Sequence, residues 1–132
     1  LGPRLVFDIG ANYGQSSERY LAQGFRVVAV EPNPACVEAM RRRLRSHVES
    51  GRLCVDARAV AAAPPGSKVK LYVNAEDSEW SSLLEAAGRR YDTEAEVVDV
   101  GATTLSELYA EHGAPHYVKI DVEGGDGDCL RQ

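Results

Sequence analysis

Three stretches constrain this chain more than anything else in it. RLVFDI (4–9), RVVAVE (26–31) and YVKIDVEG (117–124) are short apolar runs, and each ends in a carboxylate. Continuous apolar runs of this length, separated by helical patterns, predict strands buried on both faces of a parallel sheet. In such sheets ligands bind outside the carboxyl ends of the strands, where the strand order reverses. Asp8, Glu31, Asp121 and Glu123 all fall at those ends. The expected class is therefore α/β, Rossmann-like, with a mainly parallel sheet flanked by helices.

Between the runs, SSERYLAQG (16–24) has a short helical pattern stopped by Gly24. Pro32 and Pro34 open a second helix with Val37, Met40, Leu44 and Val48 at helical spacing. Arg41, Arg42, Arg43 and Arg45 lie on its other side and are read as a solvated face rather than a phosphate site. RLCVDARAV (52–60) is expected to be a single third strand. KVKLYV (68–73) and EAEVVDVG (94–101) are further strand candidates. Thr104 with Glu107 forms a capping-box signature before LSELYAEHG. Residues 74 to 93, which include Trp80, carry no clear pattern.

The 132 residues, 44% of them apolar, suit one domain with a real core, and residues 1–132 are read as such. A net charge of -5 disfavours a nucleic-acid partner, because phosphate binding needs excess Lys and Arg. Cys36, Cys54 and Cys129 are odd in number and form no C-x-x-C pair, so a reducing, cytoplasmic setting is expected. No apolar stretch approaches the roughly 18 residues that span a bilayer, and no membrane partner is expected.

The turn after the first run decides the ligand class. In VFDIGANYGQSS (6–17) a dinucleotide turn, G-x-G-x-x-G, would need glycine at 12 and 15; Asn12 and Gln15 stand there. An acid followed by G-x-G-x-G fits better: Asp8, Gly10, Asn12, Gly14. Asparagine is the best substitute for glycine because it tolerates the left-handed region. A carboxylate in the cleft repels pyrophosphate and suits a cationic ligand, although Asp8 could equally cap the turn. Glu31 follows by 23 positions, at the spacing where an acid bonds both ribose hydroxyls; the competing role is to cap the helix at NPAC.

Together VFDIGANYG, VVAVEPNP and VKIDVEG resemble the FkbM-type methyltransferases, within the class I S-adenosylmethionine-dependent fold. SSLL (81–84) and TTLSEL (103–108) fit loosely, and the resemblance runs from residue 5 to about 126. It implies S-adenosylmethionine as cofactor, with Asp8, Gly10, Asn12 and Gly14 bordering its methionine part and Glu31 at the ribose. Adenine would lie near the end of the third strand, beside Asp56. Such enzymes typically methylate a hydroxyl of a sugar or small metabolite. An alcohol must lose its proton, so a base is useful, and Asp121 and Glu123 fall on the acceptor side. Lys119, inside the apolar strand, needs a carboxylate partner and is placed to orient Asp8 or Asp121, or to snorkel outward. No metal is assigned, because oxygen ligands at this spacing are common at strand ends. His112 is read as a helix-end residue and His116 as surface, away from the cleft. The chain departs from the pattern at EGGDGDCLRQ, where the family continues as EGAE. The fold is therefore expected to be incomplete at the C-terminus, with an open strand edge that invites dimerisation. A non-catalytic cofactor-binding module is the first alternative and an NAD-dependent oxidoreductase a weaker one.

Overall fold

The computed structural model describes residues 2–64, 66–74 and 95–121. Its elements follow in the order β1 (Leu5–Ile9), α1 (Gln15–Ala22), β2 (Arg26–Val30), α2 (Pro34–Arg43), α3 (Arg45–Glu49), β3 (Leu53–Asp56), β4 (Ala59–Val60), β5 (Lys68–Asn74), β6 (Ala95–Thr103), α4 (Leu105–His112) and β7 (Tyr117–Ile120). Glu123, Trp80, Cys129, the SSLL segment and the EGGDGDCLRQ end lie outside the described residues.

The main sheet has the order β3-β2-β1-β7, and all its pairings are parallel. The chain steps outward from β1 to β3, then returns to the other side of β1 with β7. The strand order thus reverses between β1 and β7, and in open α/β sheets it is the crevice at the carboxyl ends of such a reversal that binds ligands. β1 is buried along its whole length. Strand periodicity sends Leu5, Phe7 and Ile9 to one face, where Val28, Val30, Val60 and Leu108 of α4 cover them. Val6 goes to the other face with Val27, Ala29, Leu21, Met40 and Leu44, beneath α1 and α2. Asp8 shares the parity of Val6, so its side chain is aimed at α1. No described helix is long and apolar enough to cross a membrane.

Two expectations are corrected. The single strand 52–60 is two strands in different sheets: β3 pairs with β2, whereas β4 pairs with β6. The break follows from Asp56, whose Oδ1 accepts the N–H of Arg58 at 3.0 Å and turns the chain. The helix after Pro34 is interrupted at Leu44, which has φ -106° and ψ 28°, outside the helical range. The expected mainly parallel architecture holds: the main sheet is parallel throughout, and a second, separate sheet has the order β4-β6-β5. β5 and β6 pair antiparallel from Lys68↔Gly101 to Asn74↔Ala95, and Ala59, Leu71 and Val100 form a small core of their own.

Other local signals hold. Asn33 caps α2 by accepting from Ala35 N at 3.1 Å, with Pro34 in the first turn. Thr104 caps α4 by accepting from Glu107 N at 3.1 Å. The Glu107 side chain bonds Thr103 Oγ1 at 3.0 Å, in place of the reciprocal bond a capping box predicts. Gly24 has φ 94° and ends α1. The arginine face of α2 is spent within the molecule. Arg41 donates to Val55 O, Arg42 pairs with Glu38, and Arg43 bonds both Glu18 and Tyr13 O. Arg45 pairs with Glu49.

Candidate functional site

The turn between β1 and α1 lies at the reversal point. Gly10, Asn12 and Gly14 all have positive φ, at 78°, 54° and 84°. Asn12 is the one described non-glycine residue in that region, which explains the asparagine: of the side-chain-bearing residues it visits this conformation at least cost. Its Oδ1 also accepts from Cys36 Sγ at 3.6 Å. Gly10 N and Ala11 N both donate to Val30 O, which ties the turn to the end of β2. Gly14 has a second duty: a Cβ there would meet Met40 Cγ at 2.8 Å, so its bareness lets α2 pack against the turn.

Glu31 follows β2 and is 8% exposed. Its Oε1 accepts from Asn12 N at 2.8 Å and its Oε2 from Asn33 N at 2.9 Å. One carboxylate thus links the glycine turn to the start of α2. It does not cap α2 itself; Asn33 does that. Burial pushes the Glu31 carboxyl above the usual range, and the two backbone donors only partly offset this.

Asp8 is fully buried. Its Oδ2 accepts from Ser17 Oγ at 2.7 Å. Its Oδ1 is buried and has no hydrogen-bond donor among the described residues. The nearest cation is Lys119 Nζ, at 3.9 Å, and the same ammonium lies 3.9 Å from Asp121 Oδ2. The parallel register explains this, since Asp8 pairs with Lys119 across β1 and β7. Burial pushes the Asp8 carboxyl up; Ser17 and Lys119 pull it back without restoring it. Both buried acids therefore stabilise the fold fully only at a pH low enough to protonate them. That contribution is lost as pH rises through their raised values. Asp121 is exposed just beyond β7, with its N–H donating to Ile9 O at 2.9 Å.

The sequence-predicted residues Asp8, Gly10, Asn12, Gly14, Glu31, Lys119 and Asp121 thus gather at the carboxyl ends of β1, β2 and β7. Asp56 stands apart, one strand further out, and its carboxylate is taken by Arg58 at 2.7–3.2 Å. The same guanidinium bonds Glu111 at 2.9 Å and lies 3.6 Å from Glu107. Asp56, Glu111 and His112 bring candidate metal-ligand atoms within 4.8 Å of one another, but Arg58 already supplies their cation. Burial raises the Asp56 carboxyl, but the bonds and charge of Arg58 outweigh it and hold Asp56 below the usual range.

Arg58→Ala would leave three carboxylates facing one another. A loss of about 1–3 kcal/mol is expected at neutral pH, the typical cost of stranding a buried charged group. Because the native Asp56 carboxyl is depressed, its contribution is present above the ordinary carboxylate range and lost as pH falls through the native value. Urea unfolding should therefore show the gap between wild type and variant closing under acid. A constant gap would assign the loss to packing instead.

Sequence reasoning missed two residues. Ser17 had a usable signal: it stands four positions before Leu21, on the buried face of α1, where a polar residue needs a partner. Arg58 had none, because DARAV reads as the interior of a strand.

An open groove of about 440 Å³ begins at Pro32, the residue after Glu31, between α2 and β6. Pro32, Val37, Ala57 and Val100 form apolar walls, with Glu38, Arg41 and Asp99 also lining it.

The profile of the family described as methyltransferase FkbM domain matches residues 8–132. No curated protein sequence matches the chain. Among solved structures, one match is the Burkholderia thailandensis 1,6-didemethyltoxoflavin-N1-methyltransferase with bound 1,6-didemethyltoxoflavin and S-adenosylhomocysteine. It is 17% identical with a TM-score of 0.36, over 83% of this chain and 58% of that one. The present chain thus corresponds to little more than half the length of that structure.

Proposed function

Because the chain belongs to the methyltransferase FkbM domain family, we propose that it binds S-adenosylmethionine at the carboxyl ends of β1 and β2. The proposed reaction is methyl transfer to a hydroxyl oxygen of a small molecule or sugar. One observation carries the choice of cofactor: Asp8 Oδ1 is buried at the strand-order reversal and has no donor among the described residues. An unmet buried acceptor is costly. A ligand bearing an ammonium and a sulfonium relieves that cost, whereas pyrophosphate would be repelled.

The remaining residues fit the same ligand. Gly10 and Asn12 keep the backbone bare where the methionine part would lie. An ionised carboxylate offers about four lone-pair sites. Glu31 accepts one backbone bond on each oxygen, so both oxygens can still accept from ribose hydroxyls. The apolar groove beside it suits adenine. Asp56 borders that side, but with its oxygens on Arg58 its part is to fix the neighbouring Ala57 backbone rather than to reach the base.

When bound, the cofactor supplies a methyl group made electrophilic by positive sulfur. The protein's share is mainly to hold two reactants in line. Asp121, exposed beside the crevice, is placed to take the proton of an acceptor hydroxyl, with Lys119 steadying it. Glu123, two residues on and outside the described residues, is the second candidate base.

Titration calorimetry with S-adenosylhomocysteine and, separately, NAD tests the reading. S-adenosylhomocysteine should bind and NAD should not; the reverse would overturn it. Affinity should also fall on acidification, and at a higher pH than an ordinary aspartate would produce, because Asp8 must be ionised to hold the ammonium and its carboxyl is raised. Asp8→Asn should weaken binding and remove that acid limb. Transfer to the hydroxyl is checked separately, with labelled cofactor and a panel of sugars and alcohols.

A further inference from the structure

Lys119 is shared between two carboxylates and fully bonded to neither. At 3.9 Å from both Asp8 Oδ1 and Asp121 Oδ2, its ammonium lies beyond hydrogen-bond reach of each. Asp8 belongs to the cofactor side of the crevice and Asp121 to the acceptor side. The trio carries two negative charges and one positive, so it lacks one cation. The proposed ligand brings one, and the orphaned Asp8 Oδ1 is where it would be most strongly held.

The geometry points to Lys119 as a positioning residue that couples the two sides. It neutralises Asp8 until a ligand cation takes its place, then moves onto Asp121 and fixes that carboxylate for the acceptor. The inference rests on the cofactor assignment above and adds an order to it: filling the cofactor side organises the acceptor side. The coupling needs no backbone change. Both partners lie within reach of one lysine side chain, and β7 is held to β1 by its ladder and by the bond from Asp121 N to Ile9 O.

Other groups around Asp8 do not supply the same link. Ser17 of α1 bonds the opposite oxygen and carries no charge. Glu31, beyond β2, repels the charge of Asp8, and Tyr20 of α1, whose phenol burial and that charge keep protonated, brings no cation. Asp121 itself pushes the Asp8 carboxyl up. Lys119 is the one described cation that faces both.

The test is carboxyl-carbon NMR titration of Asp8 and Asp121 in wild type, Lys119→Met and Lys119→Arg, with and without S-adenosylhomocysteine. Without ligand, Lys119→Met should raise the Asp8 midpoint, because the ammonium that favours its ionised form is gone. Lys119→Arg should restore it. In wild type, saturating S-adenosylhomocysteine should lower the Asp121 midpoint, as the ammonium moves onto it. In Lys119→Met that response should vanish even where calorimetry shows the ligand bound.

Binding to wild type with no change at Asp121, or an equal change in Lys119→Met, would overturn the coupling and leave the cofactor assignment standing. Failure of wild type to bind S-adenosylhomocysteine at all would overturn both. Methionine fills nearly the same volume as the lysine stem. Should Lys119→Met nevertheless not fold, wild type and Lys119→Arg still decide the question through the ligand-dependent shift of Asp121.

Discussion

Glu31→Ala is expected to lower affinity for S-adenosylhomocysteine by at least about a hundredfold. Hydrogen bonds to a charged group contribute about 1.5–3 kcal/mol each, and two ribose hydroxyls would be lost together. The change also acts on the protein without ligand. Asn12 N and Asn33 N both lose the acceptor that Glu31 supplies, at about 1–3 kcal/mol for a donor left unmet at Asn12. The variant should therefore be both weaker-binding and less stable. Glu31→Gln separates the effects, because its single carbonyl can still serve one of the two N–H groups while the charge is gone. Calorimetry and urea unfolding on both variants check this. Wild-type affinity in a folded Glu31→Ala protein would remove Glu31 from the ribose and leave it as a link between the turn and α2.

Gly14→Ala should cost roughly 2–5 kcal/mol of stability. About 1–2 kcal/mol comes from holding a side-chain-bearing residue at φ 84°. A further 1–3 kcal/mol or so comes from overpacking against Met40 Cγ, 2.8 Å from the new carbon. A domain of this size has a total stability of only about 5–15 kcal/mol. The urea midpoint should therefore fall far, and cofactor affinity should fall with it because the turn is displaced. A wild-type midpoint would mean that Met40 swings aside and that the backbone tolerates alanine there. Asn12 tells the complementary story: its φ is also positive, but asparagine already meets that demand.

Several features could be read before any tertiary contact was known, each because a local rule sufficed. Apolar runs without alternation announce parallel strands covered on both faces; β1, β2, β3 and β7 are parallel as expected, and β1 and nearly all of β2 are buried, whereas β7 is only part-buried. Gly10, Asn12 and Gly14 announce positive φ, because few other residues accept it. Asn33, Thr104 and Gly24 mark helix ends through backbone groups within a few residues of themselves.

The strand 52–60 was misread for the converse reason. RLCVDARAV is apolar enough for one strand, and its break depends on where β2 and β6 offer edges and on Asp56 turning back to Arg58. The antiparallel β5–β6 pair was hidden as well. Alternation marks a strand half-buried but says nothing of its direction, and the segment joining the two carries no turn signal.

The candidate site divides along the same line. The sequence by itself determined which residue types stand at the strand ends, the conformation of the glycine turn and the family, because these depend on neighbours along the chain. Only the tertiary structure decided what those residues touch. It turned Glu31 into a link between two loops, committed Asp56 to Arg58, and used Gly14 to admit Met40. It also set Lys119 between Asp8 and Asp121. The reason is that burial and charge pairing are properties of distance in space. Asp8 and Lys119 are 111 positions apart in the chain, yet the register of two parallel strands makes them neighbours.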